Sequence, residues 1–263
     1  MKLNIVTGSS NSLGKSFLKN IANTEDITIW LSRRWCNIPN VINLQVDLLD
    51  SLSVKKELLK ILSTIDSTKI SSVHLIHTAS KIKNELHDIP DPKYNTIDLD
   101  GDWIDDDVLH CTYTTFVNTH QALIECLQNI WKSDVAKYVN IIGTLLDKKS
   151  RTPSSHKSMV SANKLLRNYI IWLCHKDKSY KWNCVSVWTI ATESELAYRK
   201  NGEHKYWLKE DVVVQSILER NVAFVPWYTD EDRYEHNPRY LEYYKDETDE
   251  QMNERFKKEI GLI

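Results

Sequence analysis

The chain has 263 residues, of which 41% are hydrophobic and 27% charged, and this composition is typical of a folded globular protein rather than a disordered one. A formal net charge of -2 gives no electrostatic attraction to nucleic acid or to a membrane surface, so neither is an expected partner. The five cysteines form no Cys-x-x-Cys pair, which predicts reduced thiols in a cytoplasmic protein. Neither a signal peptide nor a membrane-spanning apolar run is expected.

Strand-type apolar runs alternate with helical patterns along most of the chain. We predict strands over residues 3–7, 27–31, 41–46, 72–77, 138–142 and 184–188. We predict helices over residues 15–22, 54–65, 115–131 and 162–175. This alternation predicts an α/β fold, with a Rossmann-like, doubly wound parallel sheet that has helices on both faces.

A glycine-bearing turn, Thr7–Gly14, connects the first predicted strand with the first predicted helix. Glycine lets the backbone bend sharply and approach a phosphate without side chains in the way. The free amides and the positive end of the following helix then face the anion. The turn therefore predicts a nucleotide-phosphate site, which is formed by Gly8, Ser10, Ser12, Leu13 and Gly14.

Ser32, Arg33 and Arg34 follow the second predicted strand, where enzymes that use NAD carry an acidic residue for the ribose 2′-hydroxyl. A carboxylate here would repel a 2′-phosphate, whereas a guanidinium can bind one through two hydrogen bonds. If a dinucleotide binds, the sequence therefore favours NADP over NAD. The alternative is that both arginines lie on a solvated loop and that no cofactor binds.

These features occur in an order that resembles the single-domain short-chain dehydrogenases/reductases, over roughly residues 1 to 225. Thr7, Gly8 and Gly14 match the Thr-Gly-x-x-x-Gly-x-Gly motif of that family, and Ser12 replaces its middle glycine. The resemblance implies a nicotinamide-dependent oxidoreductase that acts on a small-molecule substrate. It also implies a homodimer or homotetramer that pairs through the third and fourth predicted helices, although their apolar stripes suit packing within one monomer equally well.

Further positions take a role from the resemblance. Asp47 is similar to an Asp that contacts the adenine ring, although an Asp here is equally suited to cap the next helix. Ala79 is the one residue of the stretch 77–80 that matches the family's Asn-Asn-Ala-Gly. Asn118 matches an Asn that holds a water in the proton relay, and Lys164 matches the lysine that hydrogen-bonds the nicotinamide ribose.

The catalytic positions of the resemblance are changed. Lys164 aligns with the lysine of the family's Tyr-x-x-x-Lys, which leaves Val160 at the tyrosine position. Gly143 occupies the place of the partner serine, with Thr144 next to it. In the family the phenol protonates the carbonyl oxygen as hydride arrives, and the neighbouring Lys⁺ lowers the phenol pKa. Valine has no proton to give, so the sequence predicts impaired or altered redox catalysis.

Three side chains are candidates for a substitute acid, namely Thr144, if the register is shifted by one, and His156 and Tyr206, for which the alternative is a surface residue without a catalytic role. With such an acid, the chain would be an NADP-dependent oxidoreductase for a small carbonyl or hydroxyl substrate. Without one, it would keep an NADP(H) pocket but lack the standard chemistry. The sequence contains no cluster of metal-ligand type, so no metal is expected.

The chain changes character at residue 229, so we predict a domain over residues 1–228 and a C-terminal extension over 229–263. Acidic and aromatic residues crowd the first part of this extension. Thr248 and Gln251 have capping-box spacing, which predicts a final helix. The extension is a solvated appendage, a lid over a substrate pocket or a surface for a partner chain, and in the last case partner binding would be the function.

Overall fold

One parallel sheet of six strands forms the centre of the protein. The computed structural model describes residues 1–8, 12–79, 106–131, 136–144, 161–162, 165–166, 169, 172, 180–187, 190–198, 201, 207–219, 251, 254–255 and 258. The strands are β1 (Lys2–Thr7), β2 (Ile27–Ser32), β3 (Val41–Gln45), β4 (Ser72–His77), β5 (Ala136–Thr144) and β6 (Tyr180–Val187). Their order is β3-β2-β1-β4-β5-β6, and every pairing is parallel. The chain thus runs outward to β3, returns to β4 beside β1, and continues outward to β6.

Helices cover both faces of this sheet. They are α1 (Ser12–Ile21), α2 (Ser51–Leu62), α3 (Asp106–Cys126), α4 (Glu193–Tyr198) and α5 (Glu210–Glu219). Neighbouring residues of a strand point to opposite faces, so fully buried Ile5 and Val6 of β1 lie in two different cores. Residues of α2 and α3 complete the Ile5 core, and residues of α1 and α5 complete the Val6 core. The predicted doubly wound α/β fold is therefore confirmed.

The helix boundaries differ in part from the predicted ones. The Asp50 side chain accepts a hydrogen bond from the Ser53 amide at 3.0 Å and caps α2, which begins three residues earlier than we predict. Helix α3 begins at Asp106 instead of residue 115, and its end continues as a π-helical turn, Leu127–Trp131. Helices α4 and α5 are additions to the predicted elements.

Two further segments are described only in part. All described residues between 161 and 172 are helical, within the predicted helix 162–175. In this segment Leu165 and Trp172 are exposed, and the homodimer or homotetramer expected to use such a surface stays a prediction. In the extension, Gln251, Glu254, Arg255 and Lys258 are helical, in agreement with the predicted final helix. The division at residue 229 lies outside the described residues.

The described helices do not meet the requirements of a membrane-spanning helix. None of them combines the length and the apolar character that a membrane crossing requires.

Candidate functional site

The candidate site is the sheet edge at the carboxyl ends of β1 and β4, where the strand order reverses, and we call this edge the crevice. In open α/β sheets, ligands bind at this topological switch point. Thr7 and His77 end the two strands and are register partners, and Thr7 Oγ1 lies 2.7 Å from His77 Nδ1. Beyond them, the Thr78 amide and hydroxyl donate hydrogen bonds to the Thr7 carbonyl at 3.0 and 2.6 Å. The two chain segments are therefore fastened together directly below the turn that follows β1.

The hydrogen bonds between Thr78 and Thr7 leave no room for a side chain at position 8, so this position requires glycine. Its φ of 122° lies in the region that residues with a side chain rarely adopt. A Cβ atom at Gly8 would lie 2.1 Å from Thr78 Oγ1 and 2.8 Å from the Thr78 carbonyl carbon. The fold itself thus requires glycine at position 8, the first glycine of the predicted phosphate turn, because any side chain there would overlap Thr78.

Helix α1 begins four residues after Gly8, with Ser12 as its first residue. The amino end of a helix carries the positive end of the helix dipole, so this end of α1 can attract an anion. The side chain of Leu13 is buried in the Val6 core, which leaves only its main chain for ligand contact. Gly14 is buried too, and the Ser16 hydroxyl donates to Asp211 of α5 at 3.1 Å, which anchors the helix.

The residues after β2 form an anchored loop with exposed cationic side chains. The Arg34 amide donates to Ser32 Oγ at 3.2 Å, and the Arg34 carbonyl accepts from Trp30 Nε1 at 3.3 Å. The Arg33 carbonyl accepts from Gln45 Nε2 at 3.0 Å. Both guanidinium groups are exposed and, within the described part of the chain, neither forms a salt bridge. They are therefore available to an anionic ligand.

Asp47 and Asn118 approach the crevice from the α2–α3 side. The exposed Asp47 carboxylate accepts from the Leu49 amide at 3.0 Å, which stabilises the turn into α2 but leaves oxygen capacity for a ligand. The Asn118 amide donates to the carbonyls of Leu48 and Leu49 at 3.0 and 3.1 Å. Asn118 thus connects α3 with the Asp47 turn, and its predicted part in a proton relay stays a prediction.

His77 is a buried neutral base below the crevice. Its ring meets Phe116 of α3 edge-to-face, with centroids 5.1 Å apart. Burial lowers the pKa of His77 to about 3, so the ring is uncharged near neutral pH. A neutral histidine carries a proton on only one of its two ring nitrogens and lacks the extra proton of the imidazolium form, so it is a poor general acid. Its chemistry is structural, because it orients Thr7.

The predicted catalytic positions Gly143 and Thr144 lie on the other side of the crevice. Gly143 and Thr144 are the last two residues of β5 and pair with Ser186 and Val187 of β6, so their main chain reaches the same carboxyl edge. Ala79, which follows Thr78, is half-buried against the Ile5 core. The remaining predicted site residues lie outside the described residues, namely Ser10, His156, Val160, Lys164 and Tyr206.

Two residues of this edge are additions to the predicted site. Thr78 fastens β4 to the turn after β1, and the signal for it was a hydroxyl residue directly after a buried strand. Thr192 precedes α4 after β6, where its carbonyl accepts from the Leu196 amide at 2.9 Å. A threonine before the acidic run of α4 is an N-cap pattern. In the described residues no group of three or more potential metal ligands occurs.

No protein-family model matches this sequence, and no curated protein sequence is significantly similar to it. Solved structures with the same architecture are numerous. A short-chain dehydrogenase/reductase from Saccharomyces cerevisiae superposes with a TM-score of 0.65 at 13% identity, over 90% of this chain and 100% of that one. A short-chain dehydrogenase from Burkholderia cenocepacia in complex with NADP gives 0.63 at 13% identity, over 96% of each chain. A 3-ketoacyl-(acyl-carrier-protein) reductase from Brucella melitensis complexed with NADH gives 0.60 at 11% identity, over 87% and 93%.

Proposed function

We propose that this chain, which has the fold of the short-chain dehydrogenases/reductases, binds NADP(H) in the crevice at the carboxyl ends of β1, β2 and β4. We further propose that it lacks the standard proton donor of that fold and is impaired or altered in redox catalysis. The observation that carries the proposal is the turn at Gly8, because its positive φ lets the chain leave β1 at the switch point of the sheet, four residues before the amino end of α1, where a phosphate can bind.

The residues along this edge suit the parts of a dinucleotide. The amino end of α1, which follows the Gly8 turn, offers a positive dipole end to a pyrophosphate. The Asp47 carboxylate accepts one hydrogen bond from the Leu49 amide and has further acceptor sites, which could accept a hydrogen bond from the amino group of an adenine. These groups are available without rearrangement of the core, which supports binding.

The choice between the two cofactors depends on Arg33 and Arg34. The solved structures with this fold include one complexed with NADP and one with NADH, so the fold itself permits either. Two exposed guanidinium groups without an adjacent carboxylate favour a 2′-phosphate, which only NADP(H) carries.

Titration calorimetry tests the binding proposal. We expect the Arg33→Ala/Arg34→Ala double variant to bind NADPH roughly ten- to a hundred-fold more weakly than the wild type, because charge-assisted hydrogen bonds are lost. The affinity for NADH should stay within about two-fold, since NADH has no 2′-phosphate.

Lys60→Ala is the matched control, because it also removes an exposed cation, in the last turn of α2. It should leave both affinities unchanged. Wild-type protein that binds neither cofactor would refute the proposal, and equal loss for NADPH and NADH in the double variant would refute the role of the arginines.

The expected loss of catalysis follows from the side chains at two positions. A general acid contributes about two to four powers of ten in rate, and neither Val160 nor Gly143 carries an exchangeable proton on its side chain. A bound nicotinamide would supply hydride, but proton delivery to the substrate oxygen would then need another group. Lys164 is the residue of this sequence that we expect to hold the nicotinamide ribose.

A second candidate function is an active NADP-dependent oxidoreductase with a substitute acid. It is favoured by Thr144, the last residue of β5 at the carboxyl edge, with His156 and Tyr206 as further donors by sequence. Oxidation of NADPH by small carbonyl compounds measures this activity. Turnover that is lost on Lys164→Ala and on one of the three donor substitutions would establish it, whereas turnover that is insensitive to all four changes would exclude it.

A further inference from the structure

Trp35 is an exposed tryptophan on a loop that is otherwise held in place. Its side chain is 65% exposed, compared with 53% for Trp172 and 7% for Trp207. It directly follows Arg33 and Arg34, the two cations at the end of β2. Large aromatic surface is usually buried, so an indole that remains in water on an ordered loop is a candidate for ligand contact.

The main chain on both sides of Trp35 is fixed by hydrogen bonds. On the amino side, Trp30 Nε1 donates to the Arg34 carbonyl, and the Arg34 amide donates to Ser32. On the carboxyl side, the Cys36 amide donates to Asn43 Oδ1 at 2.9 Å, and Asn43 Nδ2 donates to the Cys36 carbonyl at 3.1 Å. The Cys36 side chain is buried in the Val6 core. Trp35 therefore projects from a segment that is pinned at both ends.

This arrangement separates a rigid backbone from an available ring. A ligand that contacts Trp35 does not need to order the loop first, which reduces the entropic cost of binding. A flat apolar ligand surface that covers the indole removes it from water, and this burial contributes favourably to the free energy of binding. The loop thus offers two cations and one aromatic ring at adjacent positions.

We propose that Trp35 stacks on the adenine ring of the bound dinucleotide, so that residues 33–35 bind the adenosine 2′-phosphate half of NADP(H) as one unit. This inference rests on the proposed function. The 2′-phosphate and the adenine are substituents of the same ribose, so a phosphate held by Arg33 or Arg34 brings the adenine to the neighbouring residue. Every base has a π-face, and indole offers the largest aromatic surface of the side chains.

The chemical class of ligand follows from this grouping. Nucleotides with a 2′-phosphoadenosine moiety should bind even when they carry no nicotinamide. Adenosine 2′,5′-bisphosphate is such a molecule, and it should retain a large part of the affinity of NADPH. A protein that binds its cofactor mainly through this half would discriminate little between the oxidised and the reduced form.

Calorimetric titration of NADPH and of adenosine 2′,5′-bisphosphate tests the inference. We expect Trp35→Ala to weaken both ligands by roughly ten-fold, the typical effect of removing a stacking ring. Trp35→Phe keeps an aromatic ring and should lie between alanine and the wild type. Trp172→Phe is the matched control. Trp172 is also exposed, to 53%, but it belongs to a different segment from Trp35 and stacks on Tyr169 of its own helical segment. It should bind both ligands like the wild type.

Tryptophan fluorescence gives a readout that a structural role of Trp35 would not change. Adenosine 2′,5′-bisphosphate carries no dihydronicotinamide that could accept energy from indole, so quenching by it requires contact with a ring. We expect quenching in the wild type and in Trp172→Phe, and its loss in Trp35→Phe.

The outcomes separate the two proposals. If wild-type protein binds NADPH and Trp35→Ala binds both ligands equally well, the stacking inference is wrong and the NADP(H) proposal stands. If Trp35→Ala weakens NADPH but not adenosine 2′,5′-bisphosphate, the ring does not contact the adenosine half and the inference is wrong as well. If the wild type binds neither ligand, both proposals fail.

Discussion

The binding side of the crevice and its catalytic side depend on different parts of the chain. On the proposed binding side, at Gly8, Thr78 and α1, the groups offered to a ligand belong mainly to the main chain. On the proposed catalytic side, the resemblance to the short-chain dehydrogenases/reductases implies a phenol and a hydroxyl, and we expect Val160 and Gly143 at those positions. Main-chain groups survive most substitutions, whereas a side-chain acid disappears with a single one. Binding can therefore outlast catalysis in such a fold.

Restoring the phenol is the strongest way to break this comparison. We expect Val160→Tyr to raise the rate of carbonyl reduction with NADPH by roughly two to four powers of ten, the contribution of a positioned general acid. Steady-state oxidation of NADPH with a panel of small aldehydes and ketones measures the change.

Val160→Phe is the matched control, because it adds the same ring without the hydroxyl. It should show no gain. If Val160→Tyr and Val160→Phe are equally inactive while NADPH still binds, the catalytic side has lost more than its proton donor, and the binding side alone remains functional.

Adding a side chain at Gly8 tests the other half of the comparison. We expect Gly8→Ala to lower the free energy of unfolding by about 3 kcal/mol, because the new Cβ would overlap Thr78 and the positive φ would be strained. Urea unfolding followed by circular dichroism measures the loss, and NADPH affinity should fall with it.

A second substitution shows which atoms of Thr78 resist the new side chain. Thr78→Ala removes the hydroxyl at 2.1 Å, but the Thr78 carbonyl carbon at 2.8 Å and the Ala79 nitrogen at 3.0 Å stay in place. The double variant Gly8→Ala/Thr78→Ala should therefore remain destabilised. Full recovery of stability in that variant would mean that the side chain, not the main chain, sets the need for glycine.

The smallest expected effect concerns the buried histidines of β4. Burial lowers the pKa of His77 to about 3 and that of His74 to about 4, whereas unfolded histidine titrates near 6.5. Above pH ~6.5 both states hold the neutral ring. Below it only the unfolded chain binds the proton, so stability falls as the pH decreases toward the folded-state pKa values. At about pH 5.5 we expect a loss of about 1 kcal/mol per histidine.

Urea unfolding at about pH 7.5 and about pH 5.5 measures this loss. His77→Asn should reduce the pH dependence, and the exposed His110→Gln serves as the control that leaves it unchanged. A wild-type stability that does not change between these two pH values would show that the histidines are less shielded from protons than their burial indicates.

Much of the sheet could be predicted from the sequence, because buried parallel strands carry continuous apolar runs. The prediction for β4 agrees with the structure to the residue, and that for β1 differs only by Lys2. The helices were harder to predict from the sequence than the strands. The first part of α3 contains Thr112 and Thr114 among aromatic and polar residues with weak helix preference, so its helical state is not evident from local preference. Later in the same helix, Phe116 and Leu123 are buried in the Ile5 core, and this packing stabilises the helix.

Helix α5 was missed for a related reason. Its run Val212, Val213, Val214 consists of β-branched residues, which a local pattern assigns to strands as readily as to helices. Packing of Val213, Val214 and Ile217 into the Val6 core decides the conformation, and that contact is not visible in the sequence. At the site, the positive φ of Gly8 agrees with the predicted turn, whereas the predicted roles of the arginines stay predictions. The contact of Thr78 with Thr7 depends on which segments meet in space.

The pairing of β1 with β4 also has a consequence for the order of folding. Partners in β1 and β2 lie 24 positions apart along the chain, whereas Thr7 and His77 lie 70 positions apart. Closing the longer loop costs more entropy and is slower, so the β1–β2 pair should form before β4 arrives. Until then, the turn at Gly8 has no Thr78 to pass. The β1–β4 edge should therefore form after the β1–β2 pair, and the arginine loop should reach its place before the turn at Gly8 meets Thr78.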